Sequence, residues 1–262
     1  LTALLQHKAA SLKAQGLMRF SMKQTVGDST MVKNYPESYK GVLASAYKES
    51  AEQGTLPFFY ALFFRFDTFE HLRNSGLREW FAEEALKHLH AYKPTPSGSV
   101  KTPMTMRYYE GIFETVIAGD KHGIYTTADA IRTFLKQVQE GSVTVGNHVT
   151  IDNTTRRPFE TRVSALLKTA QNTYQPSSRK NDGLPGNRDN RHYKRAVTTE
   201  IMRNAFAGGG ERNYIMHGTW ESVWDHENSH LDPRFKMAAG PVGSFVIAGP
   251  VEPFYETVAA VD

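Results

Sequence analysis

The stretch 143-VTVGNHVTID-152 alternates Val, Thr and Ile about a central Gly146-Asn147 pair. β-Branched residues at period two favour a strand, and a Gly-Asn pair between two such runs favours a two-residue turn. The stretch reads as one short β-hairpin near residues 143–152. Its surroundings decide the fold class, and they read as helical.

Upstream, residues 1–23 support one helix, and Pro36 suits the first turn of a second that Gly54 ends. The aromatic run 57-PFFYALFFRF-66 is apolar on all sides, as a helix buried all round would be. In residues 67–92, Asp67 is a candidate N-cap. Leu77, Phe81, Leu86 and Leu89 recur at helical spacing, and Gly76 is a candidate break. The three prolines of 93-KPTPSGSVKTP-103 mark a linker. Further helices are expected over 104–119, 126–141 and 158–171. Thr126 and Asp129 stand at capping-box spacing in the second of these. Another helix is expected over 196–206, stopped by Gly208-Gly209-Gly210. The tail holds one short apolar run, Ser244 to Ala248, among Pro and Gly turns.

The expected fold is therefore mostly α (α+β). It is a helical body with one short β-hairpin near 143–152 and an irregular, loop-rich C-terminal third. Residues 1–30 read as a basic N-terminal helix or arm. Residues 31–262 read as a single principal domain, with a sub-boundary at 93–103 and a flexible basic loop at 176–195. The strand–helix alternation of a doubly wound sheet is missing, and no glycine-rich phosphate loop precedes a helix.

At 262 residues the chain is long enough to bury a sizeable core. It has no cysteine, which excludes disulfides, zinc fingers, iron–sulfur clusters and thiol nucleophiles. Any metal site must use His, Asp or Glu. The longest apolar run, 56-LPFFYALFF-64, is far short of the roughly 20 residues of a spanning helix, so a soluble chain with no membrane span is expected. The sequence opens on Leu1, which reads as a processed N-terminus: organellar, exported or virion.

The most direct chemical signal is 226-HENSH-230, an H-E-x-x-H pattern. On a helix His226 and His230 share a face one turn apart and can hold one zinc ion. The five residues match the zincin signature, which implies His226 and His230 as ligands and Glu227 as general base. A third ligand is needed, and Glu252 or Glu256 lies at a suitable distance downstream, with His217 an upstream alternative. Pro233 stands close behind, and no extended metzincin pattern follows. The function on this reading is a zinc-dependent, peptidase-like metallohydrolase with Zn as cofactor.

A second reading fits more of the chain and needs no cofactor. The net charge is +4, and basic residues gather in two places. Lys8, Lys13, Arg19 and Lys23 fall in an acid-free N-terminal segment. Arg179, Lys180, Arg188, Arg191, Lys194 and Arg195 fall in a polar loop interleaved with Tyr174, His192 and Tyr193. Cations with stacking groups suit single-stranded nucleic acid. This reading makes the chain a structural or assembly subunit: a coat, scaffold or accessory subunit. Its partners would be copies of itself, other subunits, or RNA or DNA. It ranks first.

Overall fold

The computed structural model describes residues 1–28, 52–54, 59–88, 90–103, 108–138, 141–172, 196–230 and 232–262. The chain divides into two compact units. The first comprises Leu1–Met22, Leu62–Tyr109 and Val258–Asp262, and the second comprises Lys23–Ala61 and Glu110–Thr257.

In the first unit, α1 (Thr2–Leu12) buries Leu5, Ala9 and Leu12, a stripe at helical spacing. Gly16, at φ 91°, ends it in the left-handed region and releases the chain into β1 (Leu17–Asp28). The aromatic run forms β2 (Tyr60–Phe66). Thr68 then caps α2 (Phe69–Asn74), its hydroxyl accepting from the His71 amide, and Gly76 separates α2 from α3 (Leu77–Glu83). β3 (His90–Thr95) and β4 (Gly98–Pro103) pair as a hairpin. Leu17, Phe20, Met22, Leu77 and Ala259 complete this unit's core.

The second unit carries β5 (Phe113–Asp120), β6 (Gly123–Tyr125) and α4 (Ala128–Gln137), capped by Thr127. Then follow β7 (Val143–Asp152), α5 (Arg156–Asn172), β8 (Thr198–Asn204) and β9 (Glu211–Trp220). The unit closes with α6 (Val223–Ser229), α7 (Pro233–Gly243), β10 (Val246–Val251) and β11 (Pro253–Val261). β10 and β11 both pair antiparallel with β7, and the strand order continues β7-β9-β8-β5-β6. From β7 onward the chain thus runs β-α-β-β-α-β with its first strand beside its last and third. That is the ferredoxin-like arrangement.

Registers assign the two faces of this sheet. Directly opposed residues point the same way. Val149, Ile151, Ile201 and Tyr214 face α5, where Phe159, Val163, Leu166 and Leu167 complete an apolar core. Thr144, Gly146, His148, Thr219, His217, Thr198 and Glu200 lie on the other face.

Several expectations are corrected. The fold is not a helical body: among the described residues eleven strands form a nine-stranded sheet and a separate hairpin. The stretch 143–152 is one unbroken strand paired along its whole length with β9, not a hairpin. Gly146 makes no turn there. It leaves room, since a Cβ on it would lie 3.3 Å from the Tyr255 ring and 3.5 Å from His148 Nε2. The segments 17–28, 60–66, 113–120 and 198–204 are strands where helices were expected. They are buried on both faces or rich in β-branched and aromatic side chains, so no alternation betrays them. The expected linker holds β3 and β4. Gly208-Gly209-Gly210 turns β8 into β9, with Gly209 at φ 59° and Gly210 at φ 83°. Among the described residues the C-terminal third is made of regular strands and helices, not loops. The helix expected from Pro36 and the loop 176–195 lie outside the described residues, save 52–54. No described helix is long and apolar enough to cross a membrane.

Phe159 is fully buried and packs its ring 4.8 Å from that of Tyr214. Phe159→Ala is expected to cost about 3–5 kcal/mol of stability. Urea unfolding monitored by circular dichroism measures this; a loss below about 1 kcal/mol would contradict the assignment of this core.

Candidate functional site

α6 begins at a reciprocal cap. Ser222 Oγ accepts from the Asp225 amide at 3.1 Å and lies 2.6 Å from Asp225 Oδ2. The helix lasts only to Ser229, where the Ser229 hydroxyl donates to the His226 carbonyl at 2.7 Å. His230 therefore stands in the turn just past the helix, its amide donating to the Glu227 carbonyl at 3.3 Å. Pro233 is the first residue of α7, which Asp232 caps. The proline that argued against a supported motif in fact opens the next helix.

Glu252, at the junction of β10 and β11, reaches the two imidazoles. Its Oε1 lies 3.3 Å from His226 Nε2 and 3.9 Å from His230 Nε2. One ligand atom from each of the three residues falls within 4.8 Å of the others. Asn147 Nδ2 donates to the same Glu252 oxygen at 3.0 Å. On the far side of the ring, His226 Nδ1 faces Glu227 Oε1 at 3.6 Å, beyond hydrogen-bond length. Trp220 and Phe254 stack edge-on against His226, each 5.2 Å away centroid to centroid, and Phe235 flanks His230 at 5.1 Å. His226 is 4% exposed and Glu252 2%. Glu227 is the most open of the four, its side chain 19% exposed.

The electrostatics follow from this packing. Burial disfavours the charged His226 ring, but Glu227 and Glu252 together outweigh it and raise His226 to about 9. Burial, followed by the positive His226, lowers His230. Burial would raise Glu252, but its contact with His226 prevails and lowers it. Two imidazoles and a carboxylate buried among aromatic rings are a donor set that could hold a divalent transition metal, and Glu227, the most exposed of the four, is placed to exchange protons with water.

Four ionisable residues lie buried on the opposite sheet face: His148 and Glu200, which the sequence reading did not single out, with His217, its alternative metal ligand, and Lys23, which it placed in a basic arm. His217 Nδ1 is 3.6 Å from Glu200 Oε1, both side chains 3% exposed. His148 is buried beside them. Lys23 is fully buried, and its ammonium donates to Thr144 Oγ1 and Thr257 Oγ1, each at 3.0 Å. Register alone could have grouped His148, His217 and Glu200, had β7, β8 and β9 been recognised as neighbours.

Of the residues singled out in the sequence, His226, Glu227, His230 and Glu252 come together. Glu256 is exposed on β11, and His217 faces the other way. The four basic residues of the expected arm are built into the first 28 residues of ordered structure. Lys8 lies 5.3 Å from the Trp80 ring centroid, and Lys13 donates to the Asp262 carbonyl. Arg19 pairs with Asp262 at 3.1 Å, and Lys23 is held by the two threonines. Arg179, Lys180, Arg188, Arg191, Lys194 and Arg195 lie outside the described residues.

Residues 116–258 match the model of the CT0912-like C-terminal domain. That is over half of the chain, and the chain belongs to this family. Residues 1–71 match the ABM-like domain. No curated protein matches the sequence. Solved structures similar to the chain include two of ferredoxin-like or oxidase-like description. One is an anthrone oxidase-like protein, at 13% identity and TM-score 0.48, with 97% of this chain and 87% of that one covered. The other is an uncharacterized ferredoxin fold protein of Listeria monocytogenes related to antibiotic biosynthesis monooxygenases. It is 9% identical with TM-score 0.34, covering 71% of this chain and 89% of that one. The ABM-like match overturns both functional readings of the sequence, the assembly subunit and the zinc hydrolase.

His148 gives a pH-dependent prediction. Burial, then the nearby His217, lowers it to about 3 from an ordinary 6.5. As pH falls below 6.5 the unfolded chain takes up this proton and the folded one does not, so stability is lost between pH 6.5 and pH 3. The contribution is about 2 kcal/mol between pH 7 and pH 5. Urea midpoints at the two pH values are expected to converge in His148→Gln; an unchanged difference would show that His148 titrates normally.

Proposed function

We propose that this member of the CT0912-like family is an oxidoreductase of the monooxygenase type. Its reactive centre is the recess formed by His226, Glu227, His230 and Glu252. The observation that carries the reading is this buried, mutually polarised cluster in a chain whose first 71 residues match the ABM-like domain, named for antibiotic biosynthesis monooxygenases. Ionisable groups with displaced proton affinities, set among aromatic rings in a recess, mark reactive sites.

A monooxygenase places one atom of dioxygen in its substrate and reduces the other to water, consuming two electrons and two protons. The aromatic walls of Trp220, Phe254 and Phe235 exclude water from reactive species and suit a small organic substrate. Glu227 stands between that recess and solvent, in contact with His226, and is the group that handles protons.

Oxygen uptake in an electrode cell, over a panel of phenols and hydroquinones with and without a reductant, tests this. Turnover is expected with at least one compound, and Glu227→Gln is expected to lower it about 10²-fold or more while leaving the fold intact. Uptake at background with every compound, or undiminished in Glu227→Gln, would remove the basis for the reading.

A further inference from the structure

We propose that His226, His230 and Glu252 bind one divalent first-row transition-metal ion. The existence of the site does not rest on the monooxygenase reading above.

The donors have the right kinds and the right separations. With no cysteine in the chain, imidazole and carboxylate are the donors available, and both suit such ions. An ion with bonds of about 2.0–2.2 Å holds its donors about 3.0–3.5 Å apart. Glu252 Oε1 already lies 3.3 Å from His226 Nε2. The 3.9 Å to His230 Nε2 closes by a small rotation of the ring.

The surroundings are those of a ligand set. A ligating histidine characteristically directs its other ring nitrogen to a carboxylate or carbonyl, which fixes the tautomer, and ligating carboxylates are in turn hydrogen-bonded. His226 presents Nδ1 to Glu227 while Nε2 faces the cluster. Glu252 receives the Asn147 amide. Asn147, from β7, is therefore an outer partner in place, and Glu227, from α6, lies near the free ring nitrogen of His226 at 3.6 Å.

Three protein donors also leave coordination positions free. A closed structural site would supply four protein ligands. Among the described residues no fourth His, Asp or Glu joins the cluster.

The test uses full-length protein purified without a polyhistidine tag, stripped with chelator and titrated anaerobically with cobalt(II) and iron(II). Binding of one ion per chain is expected, with the d–d absorption of cobalt at a nitrogen- and oxygen-ligated site. Glu252→Gln and His230→Ala are expected to weaken binding by about 100-fold or more, and Asn147→Leu, which removes only an outer partner, by about 10–100-fold. Wild type that binds no ion stoichiometrically overturns the proposal whatever the variants do. So does binding of wild-type strength in folded Glu252→Gln and His230→Ala. Ion bound as expected with no oxygen uptake would uphold the site and sink the monooxygenase reading, so the two fail separately.

Discussion

The pairing of β7 with β9 runs without a bulge from Val143↔Trp220 to Asp152↔Glu211, and both polar sites of the second unit depend on its register. Side chains alternate along a strand, so a slip of one residue would exchange every side chain between the two faces. In the register observed, Asn147 points toward Glu252 and His148, its neighbour, points away toward His217. The same register brings Gly146 opposite His217, and the missing side chain admits the Tyr255 ring. A Val at 146 would suit the strand's propensity better and would collide with that ring.

The energetics of the cluster around Glu252 argue that it is not kept for stability. Moving an imidazolium and a carboxylate out of water costs several kcal/mol per ion, and their mutual attraction often only offsets this. An apolar replacement of similar volume would pack as well against Trp220 and Phe254. Stability in this unit comes instead from the apolar core between α5 and the sheet. A cluster whose net contribution is near zero, and whose disruption would leave an unpaired buried charge, belongs where chemistry requires it.

Much of the helical content was legible and most of the sheet was not. α5 was visible because Phe159, Val163, Leu166 and Leu167 recur at helical spacing on one face. The split at Gly76 was visible from glycine alone. By contrast, Thr198, Thr199, Glu200, Ile201 and Met202 are all buried, so that strand shows no period of two. Where both faces are covered, periodicity cannot separate a strand from a helix. The N-terminal basic residues misled for a related reason. Lys23 looks like a surface cation in the sequence, and in the fold it is buried with its ammonium donating to two threonine hydroxyls, from β7 and β11. At the site, the His226–His230 spacing was readable, and Glu252 was one of two downstream carboxylates the spacing offered beside Glu256. Asn147 was not readable, because it lies 105 residues from its partner inside a stretch that imitates a turn.

The H-E-x-x-H pattern also does different work here from the one its spacing suggests. On a long helix the two histidines would be fixed by one backbone, and the glutamate between them would be free to act as a base. Here the helix ends at Ser229, so His230 is oriented by the turn into α7 and by Phe235, with its ring 73° from that of His226. The third donor comes from a strand junction that β7 holds in place. Glu227 lies against His226 Nδ1 and so constrains the ring that it also polarises. The cluster is thus assembled from α6, a turn and the β10–β11 junction, and its geometry is set by the sheet register rather than by helical spacing. A chance match to a five-residue pattern would not recruit a buried carboxylate from 22 positions downstream (252 − 230 = 22) together with an amide that holds it in place.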